Sequence, residues 1–148
     1  MDTQEQSNSA DAAILEQARE HMQMIQENVG RMATTSAVLK GFAATMFAAF
    51  AALSYNDINI RMLVVSILPV VGFFLLDTYY LTLEKKYRYF YEQVRTGAVA
   101  ADFSMSVAHI DAYSCSWIKA LCSRSITLFY GPLAAAYASL IICKTCGI

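Results

Sequence analysis

The chain has 148 residues, of which 57% are hydrophobic and 16% are charged, whereas average soluble domains have roughly 45 to 50% and about 25%. Its 11 Lys and Arg residues and 12 Asp and Glu residues leave a formal net charge of −1. This balance excludes the strong positive field on which nucleic-acid binding depends, and the apolar excess excludes a disordered chain. The composition favours a membrane protein of one domain, with the lipid bilayer and not nucleic acid as its partner.

The N-terminal third of the chain predicts a polar tail followed by one long helix. Residues 1–13 are polar and predict a disordered tail. From residue 14, apolar side chains recur at three- and four-residue spacing, which is typical of a helix. We predict a cytoplasmic helix at 14–37 that continues into a first membrane span at 38–55. The apolar stripe of its first half consists of Leu15, Ala18, Met22, Ile25, Val29 and Met32.

Two later segments are long and apolar enough to cross a membrane, which takes roughly 20 residues. Residues 62–83 contain one charge, Asp77, and residues 125–143 contain none. The second span is expected to continue as a cytoplasmic helix at 84–96, which ends before Gly97. A further cytoplasmic or interfacial helix is predicted at 102–122, with Asp102 as its cap.

The predicted fold is an all-α membrane protein with three transmembrane helices, in a single membrane domain at 14–148. The first two spans form a long antiparallel hairpin that extends into the cytoplasm. Cytoplasmic segments near membrane spans are enriched in Lys and Arg. Nine of the 11 basic residues lie before the first span, at its entry or between the second and third spans, which predicts a cytoplasmic N-terminus and an external C-terminus.

Two charged residues within the first two spans, Lys40 and Asp77, are predicted to meet. In an antiparallel hairpin each lies roughly 23 Å from the turn. An unpaired charge at the bilayer centre costs about 2.5 to 3.5 kcal/mol on insertion scales, so pairing is favoured. The pair is interpreted either as a gate or ion-path element, or as a static salt bridge with Lys40 reaching toward the interface.

Small residues recur at helical spacing in the first and third spans, where they permit close helix packing in lipid. The packing is either within the chain or between copies. Three helices cannot enclose a water-filled path, so transport requires a homo-oligomer, which we expect. The packing residues are Gly41, Thr45, Ala48 and Ala52 in the first span and Gly131, Ala135 and Ser139 in the third.

Aromatic residues near the span ends predict anchors at the membrane interface. These are Tyr79, Tyr80, Tyr87 and Trp117. For the tyrosines, contacts between helices are the alternative interpretation.

The sequence contains no phosphate-binding loop, nucleophile elbow or dinucleotide fingerprint, so we predict no enzyme, no catalytic residues and no cofactor. The lone CxxC of Cys143 and Cys146 offers too few ligands for a structural zinc site, and no metal is predicted. These thiols are ordinary, or oxidise if the C-terminus is external. His109 and Asp111, two apart on a helix, point away from each other.

Three motifs occur in the order Leu39-Lys40-Gly41, Leu76-Asp77 with Tyr79-Tyr80-Leu81, and Asp102-Phe103-Ser104-Met105. In this order they resemble a group of small bacterial membrane proteins. The general plan is also similar to SLATT domains, the two-span membrane effectors of bacterial anti-phage systems, although a third span is added here. The resemblance implies a location in the bacterial inner membrane and a role in defence.

Two functional hypotheses follow. The first is an oligomeric membrane effector of anti-phage defence that forms a channel or pore when triggered. The second is a membrane-anchored adaptor whose cytoplasmic helices, 14–38 and 84–124, recruit a protein partner. The second hypothesis weakens if the apolar stripes of these helices pack on each other. A small transporter, a third class, requires a charged or polar residue deeper in the membrane, and none is evident.

Overall fold

Helix-forming residues dominate the chain, and glycine and proline are few enough to leave long helices uninterrupted. The computed structural model describes residues 2–57, 60–108, 110 and 117–146, and these contain no β-strand. The helices are α1 (Asp2–Asp57), α2 (Ile60–Arg95), α3 (Trp117–Leu121) and α4 (Arg124–Cys146). The prediction of an all-α chain is confirmed in the part that the structure describes.

Three of the helices are long and apolar enough to cross a membrane. The spanning candidates lie in Asn8–Leu53, Val64–Arg95 and Arg124–Cys143. Few of their residues are buried within the chain, as expected for surfaces that face lipid. Among the described residues, the predicted number of helices that are long and apolar enough to span a membrane is therefore confirmed, and the three helices are compatible with a membrane location.

The first helix begins earlier than the sequence indicated. α1 starts at Asp2 and is 56 residues long, which corresponds to about 84 Å. Residues 2–13 are thus helical and not the predicted disordered tail. Their polarity suggested disorder, but this segment contains no glycine or proline, and six of its 12 residues are Gln, Glu or Ala, which propagate a helix once it is nucleated downstream.

The second helix contains a proline and ends at a glycine. Pro69 lies inside α2, as membrane helices tolerate. α2 ends at Arg95, and Gly97 has φ of 71°, the left-handed conformation that glycine adopts at little cost. The Gly97 amide donates to the Val94 carbonyl at 3.1 Å and the Ala98 amide to the Gln93 carbonyl at 2.9 Å. These bonds satisfy carbonyls that the helix end leaves unpaired.

α1 and α2 pack side by side in opposite directions. Ser36 contacts Asp77, Phe42 stacks on Phe73 with ring centroids 6.1 Å apart, and Ile25 and Phe90 share a buried cluster. Residues later in α1 contact residues earlier in α2, so the two helices are antiparallel. The contacts continue from the spans to the ends farthest from residues 57–60.

At those far ends lies an apolar cluster that we call the distal core. It consists of Ile25, Phe90, Val94 and Ile110, each at most 5% exposed. Met22 and Tyr87 are among the side chains packed around it. The apolar stripes of α1 and α2 therefore bury part of their surface against each other. Leu15, at the start of the predicted stripe, is 71% exposed and lies outside this core.

Residues 98–108, which we call the strap, cross the distal core without forming a helix. The predicted helix at 102–122 is therefore wrong for residues 102–108, and among the described residues of that range Trp117–Leu121 are helical. Residues 109 and 111–116 lie outside the described residues. Asp102 does not cap a helix, because its Oδ1 accepts from the Ser104 amide two residues later, in a local turn. Phe103 has φ of 60°, which interrupts a right-handed helix.

Two side chains of the long helices hold the strap. The buried His21 donates its Nε2–H to the Ser104 carbonyl at 3.0 Å, and Tyr87 donates its hydroxyl to the Met105 carbonyl at 3.1 Å. The His21 ring also contacts the rings of Phe90 and Phe103. Backbone carbonyls that a helix would pair internally are thus satisfied by side chains, which offsets the loss of the predicted helix.

α4 runs antiparallel to α2 and contacts it through large side chains. The rings of Phe74 and Tyr130 meet edge to face at 5.2 Å, and Ser66 bonds to Tyr137 nearer the other end. Between these contacts a groove of about 470 Å³ separates the two helices. Besides the two tyrosines, it is lined mainly by aliphatic and aromatic side chains, including Ile67, Val71 and Phe74 of α2 and Leu133, Ala134 and Ile141 of α4.

Candidate functional site

Lys40 of α1 and Asp77 of α2 form an ion pair between the two helices. The Lys40 Nζ lies 2.6 Å from the Asp77 Oδ2. The Asp77 side chain is fully buried and that of Lys40 is 16% exposed. The structure thus brings together the two charged residues of the first two spans that the sequence singled out.

Ser36 completes a polar triad with this pair. It lies one helical turn before Lys40 and is 7% exposed. The Lys40 Nζ donates to the Ser36 Oγ at 2.7 Å, and the Ser36 hydroxyl donates to the Asp77 Oδ1. Both carboxylate oxygens therefore face a donor. The sequence analysis did not assign a role to Ser36. Its position four residues before Lys40, on the same face of the helix, indicated that the two side chains could meet.

The third spanning helix closes the site. Tyr130 of α4 is 8% exposed, and its hydroxyl lies near enough to the Asp77 carboxylate to interact with it. This hydroxyl forms no hydrogen bond of regular geometry with a described residue. Ala43 and Ile126, both buried, join Tyr130 in an apolar cluster on this side. The charged pair thus lies where α1, α2 and α4 meet. Tyr130 carried no sequence signal, because a tyrosine in a span is commonplace.

The depth of the site follows from counting residues along two helices. Asp77 precedes Glu84, the charge that bounds its span, by seven residues, and Tyr130 follows Arg124 by six. At 1.5 Å per residue these separations are about 10 Å and about 9 Å. Both helices therefore place the pair at a similar distance from the charges that bound the apolar segments, which in a spanning helix corresponds to about a third of a 30 Å hydrocarbon layer.

In chemical terms the triad neutralises two charges in a buried site. Breaking the pair leaves a bare carboxylate and a bare ammonium in a medium that solvates neither. The arrangement is therefore stable while the helices stay together. If they separate, it presents a fixed negative charge and a fixed positive charge to any water that enters.

A second polar contact holds α4 to α2 at the other end of the groove. The fully buried Ser66 donates its hydroxyl to the Tyr137 hydroxyl at 3.2 Å, and Tyr137 donates to the Ser66 carbonyl at 3.3 Å. The Tyr137 ring also meets Phe47 of α1 edge to face at 4.9 Å. Hydrogen bonds between membrane helices contribute roughly 0.6 kcal/mol on average. Sequence reasoning missed this contact.

The small residues face outward. All seven predicted packing residues are exposed, and a Cβ added at Gly41 or Gly131 would meet nothing within 4 Å. They therefore do not serve close packing within the chain. The positions are Gly41, Thr45, Ala48 and Ala52 on α1 and Gly131, Ala135 and Ser139 on α4.

The predicted interface anchors separate into two groups. Tyr79 and Trp117 are 54% and 46% exposed, as an interfacial position requires. Tyr80 is partly buried and meets the Tyr79 ring at 5.8 Å. Tyr87 holds the strap through its hydroxyl. For Tyr87 the contact lies within the chain, in line with the alternative interpretation from sequence.

The remaining described residues that could bind a metal or react as thiols do not form a cluster. Among the described residues, no three His, Cys, Asp or Glu side chains are placed to hold a metal ion. Cys122, Cys143 and Cys146 are exposed free thiols. His109 and Asp111 lie outside the described residues.

Comparison with known proteins does not assign the chain to a family. No family model matches the chain, and neither a curated protein nor a solved structure matches it.

Proposed function

We propose that this protein is an oligomeric membrane effector that conducts ions when triggered, and that it acts in bacterial anti-phage defence. The observation that carries the proposal is the Lys40–Asp77 pair, buried where three spanning helices meet. Charges at this depth are costly and are commonly functional in membrane helices. In the proposal, the paired state is the resting state, and separation of α1 from α2 exposes the charges to a water-filled path.

The outward-facing small residues support the oligomer. Three helices cannot surround a water path, so copies must associate. Small side chains let helices of neighbouring copies approach closely in lipid. The test is the mass of the protein in nanodiscs: wild type is expected to assemble, whereas Ala135→Leu with Ser139→Leu shifts it to monomers. Leu128→Ala, at an α4 position that is 81% exposed, is the control. A wild type that stays monomeric contradicts the oligomer.

Conduction is tested by ion flux from liposomes that contain the purified protein. Asp77→Asn is expected to raise the resting flux, because an unpaired Lys40 weakens the contact between α1 and α2. The variant Lys40→Met with Asp77→Asn removes both charges and keeps the helices together, so a loss of triggered flux there separates gating from misfolding. Glu84→Gln is the control. Absence of flux from every variant, including wild type mixed with lysate from phage-infected cells, refutes conduction.

The hairpin, the cytoplasmic N-terminus and the external C-terminus belong to the same proposal. The antiparallel packing of α1 and α2 supports the hairpin, and the nine-to-two division of basic residues supports the orientation. The defence role rests on the resemblance of the motifs. It is tested by counting plaques on cells with and without the protein, and equal counts across a panel of phages argue against it.

An adaptor is the second candidate, and one observation favours it. Arg95, the last residue of α2, lies opposite about residue 20 of α1, so the first turns of α1 extend past their partner. Ile14 and Leu15 there are 63% and 71% exposed. The stripes that the adaptor hypothesis relied on are buried in part against each other in the distal core, which weakens that hypothesis. Loss of phage protection in Ile14→Glu with Leu15→Glu, with liposome flux unchanged, would favour the adaptor.

A further inference from the structure

The three predicted spans contain one basic and one acidic residue. Lys40 is the charged residue of 38–55 and Asp77 that of 62–83, whereas 125–143 carries no charge. Charged side chains that line a pore favour ions of the opposite sign. In a chain that conducts ions, the one of these two charges that stays in the path therefore decides whether cations or anions pass.

The side chains of Lys40 and Asp77 lead toward opposite ends of the hairpin. A helical side chain leans toward the N-terminus of its own helix, and α1 and α2 are antiparallel. The Lys40 Nζ accordingly lies 2.7 Å from the Ser36 Oγ, one turn earlier in α1 and nearer the distal core. The Cα–Cβ bond of Asp77 leads the other way, toward the start of α2. Lys40 is thus directed out of its span and Asp77 further into its own.

The two side chains also differ in reach and in exposure. Lysine carries its ammonium on a long flexible stem, which lets the charge extend to the membrane surface while the stem stays in lipid. The Lys40 side chain is 16% exposed even in the pair, whereas that of Asp77 is fully buried. An aspartate is too short to carry its charge away from its helix. Once the pair breaks, Lys40 can leave toward the surface and Asp77 stays at its depth.

The contacts of the Asp77 carboxylate divide between α1 and α4. Ser36 and Lys40, its two donors, both belong to α1 and leave with that helix when it separates from α2. Tyr130 belongs to α4, and its ring meets Phe74 of α2 at 5.2 Å. Its buried hydroxyl lies beside the carboxylate and forms no regular hydrogen bond with a described residue. After the separation the carboxylate has lost its counter-charge and keeps a neutral neighbour.

We infer that the conducted ions are inorganic cations and that Asp77 selects them. A carboxylate without its donors presents negative charge to the water in the path, which attracts cations and repels anions. A homo-oligomer repeats this carboxylate once per copy around the path, the arrangement by which rings of acidic side chains select cations. The inference rests on the proposed function, because it requires that the chain conducts ions.

Reversal potentials across planar bilayers with a KCl gradient test the selectivity of the full chain. Wild type is triggered with lysate from phage-infected cells. Lys40→Met and Asp77→Asn each break the pair, so they are measured both at rest and with lysate. A unit charge about 4 Å from a passing ion corresponds to a preference for K⁺ over Cl⁻ of about tenfold or more. Triggered wild type and Lys40→Met should show this preference, whereas Asp77→Asn should lose it.

Two further variants separate selection by Asp77 from general effects of charge. Asp77→Glu keeps the carboxylate and should retain the preference for K⁺. Glu92→Gln removes an acidic charge near the end of α2, where the side chain is 55% exposed, and should retain it as well. Circular dichroism verifies that each variant is helical. Bilayers that receive lysate without the protein give the background current.

Two results overturn the inference and leave conduction intact. One is a current without preference for K⁺ in triggered wild type or in Lys40→Met. The other is a preference for K⁺ that survives Asp77→Asn, since another group would then select the ion. Absence of current above background from wild type and from both charge variants refutes the proposed function itself, and the inference with it.

Discussion

At the scale of single residues, the spacing of charges in the sequence identified Lys40 and Asp77, and the structure adds what surrounds them. Opposite charges within a membrane are stabilised by pairing, so a contact between two charged residues at equal depth can be predicted from the sequence. The roles of Ser36 and Tyr130 could not be predicted in this way. Serine and tyrosine are tolerated in many places in a membrane helix, and only the packing of three helices selects these two.

A double-mutant cycle measures the strength of the buried pair. Lys40→Met and Asp77→Asn are each expected to destabilise the protein by about 3 kcal/mol, because each leaves an uncompensated buried charge. Together they should cost less than the sum of the two by about 1 to 3 kcal/mol. The readout is unfolding in detergent followed by circular dichroism.

The exposed pair of Glu92 and Arg95 supplies the control for this cycle. Its atoms approach to 2.7 Å, but the two side chains are 55% and 57% exposed, so solvent screens the attraction. Glu92→Gln and Arg95→Gln should show a coupling of only about 0.3 to 0.5 kcal/mol. Additive effects of Lys40→Met and Asp77→Asn would mean that the buried contact contributes no more than this exposed one.

At the scale of elements, the strap shows where local sequence pattern and tertiary packing conflict. Residues 102–108 have an apolar spacing compatible with a helix, and Asp102 is a suitable cap. The chain instead turns at Phe103 and spreads Met105 and Val107 over the distal core. Burial of these side chains, together with the bonds from His21 and Tyr87, outweighs the helical alternative.

The distal core gives an element-scale prediction. Ile25→Ala removes a fully buried side chain from the α1–α2–strap contact and should destabilise this end by about 2 to 5 kcal/mol. Leu15→Ala, at a position that is 71% exposed, should change stability by less than about 0.5 kcal/mol. Hydrogen exchange of the strap amides reports on this region directly. Unchanged exchange in Ile25→Ala would contradict the packing described for the strap.

At the scale of the whole molecule, the arrangement is three long helices held together at a few points. α1 and α2 pack along most of their length, whereas α4 is attached chiefly through Tyr130 and Tyr137. The looser attachment of α4 creates the groove and leaves the small residues of α4 outside. The proposed oligomer would complete this packing with other copies of the chain.

The proposed topology predicts which thiols react from outside the cell. In chains that keep a single cysteine, an impermeant maleimide should label Cys146 in intact spheroplasts and Cys122 only after lysis. Both thiols are exposed, so access through the membrane is the variable that differs. The reverse pattern would invert the orientation, and equal labelling of both would mean that α4 does not separate them.

The sequence by itself determined the helical class, the three apolar spans and the charged pair, because these depend on composition, length and periodicity along one chain. The tertiary structure decided the irregular strap, the roles of Ser36, Tyr130 and Tyr137, and the outward orientation of Gly131 and Ala135. It also left a groove between α2 and α4. Each of these depends on which side chains of different helices come into contact, and periodicity within one helix carries no information about its rotation against the next.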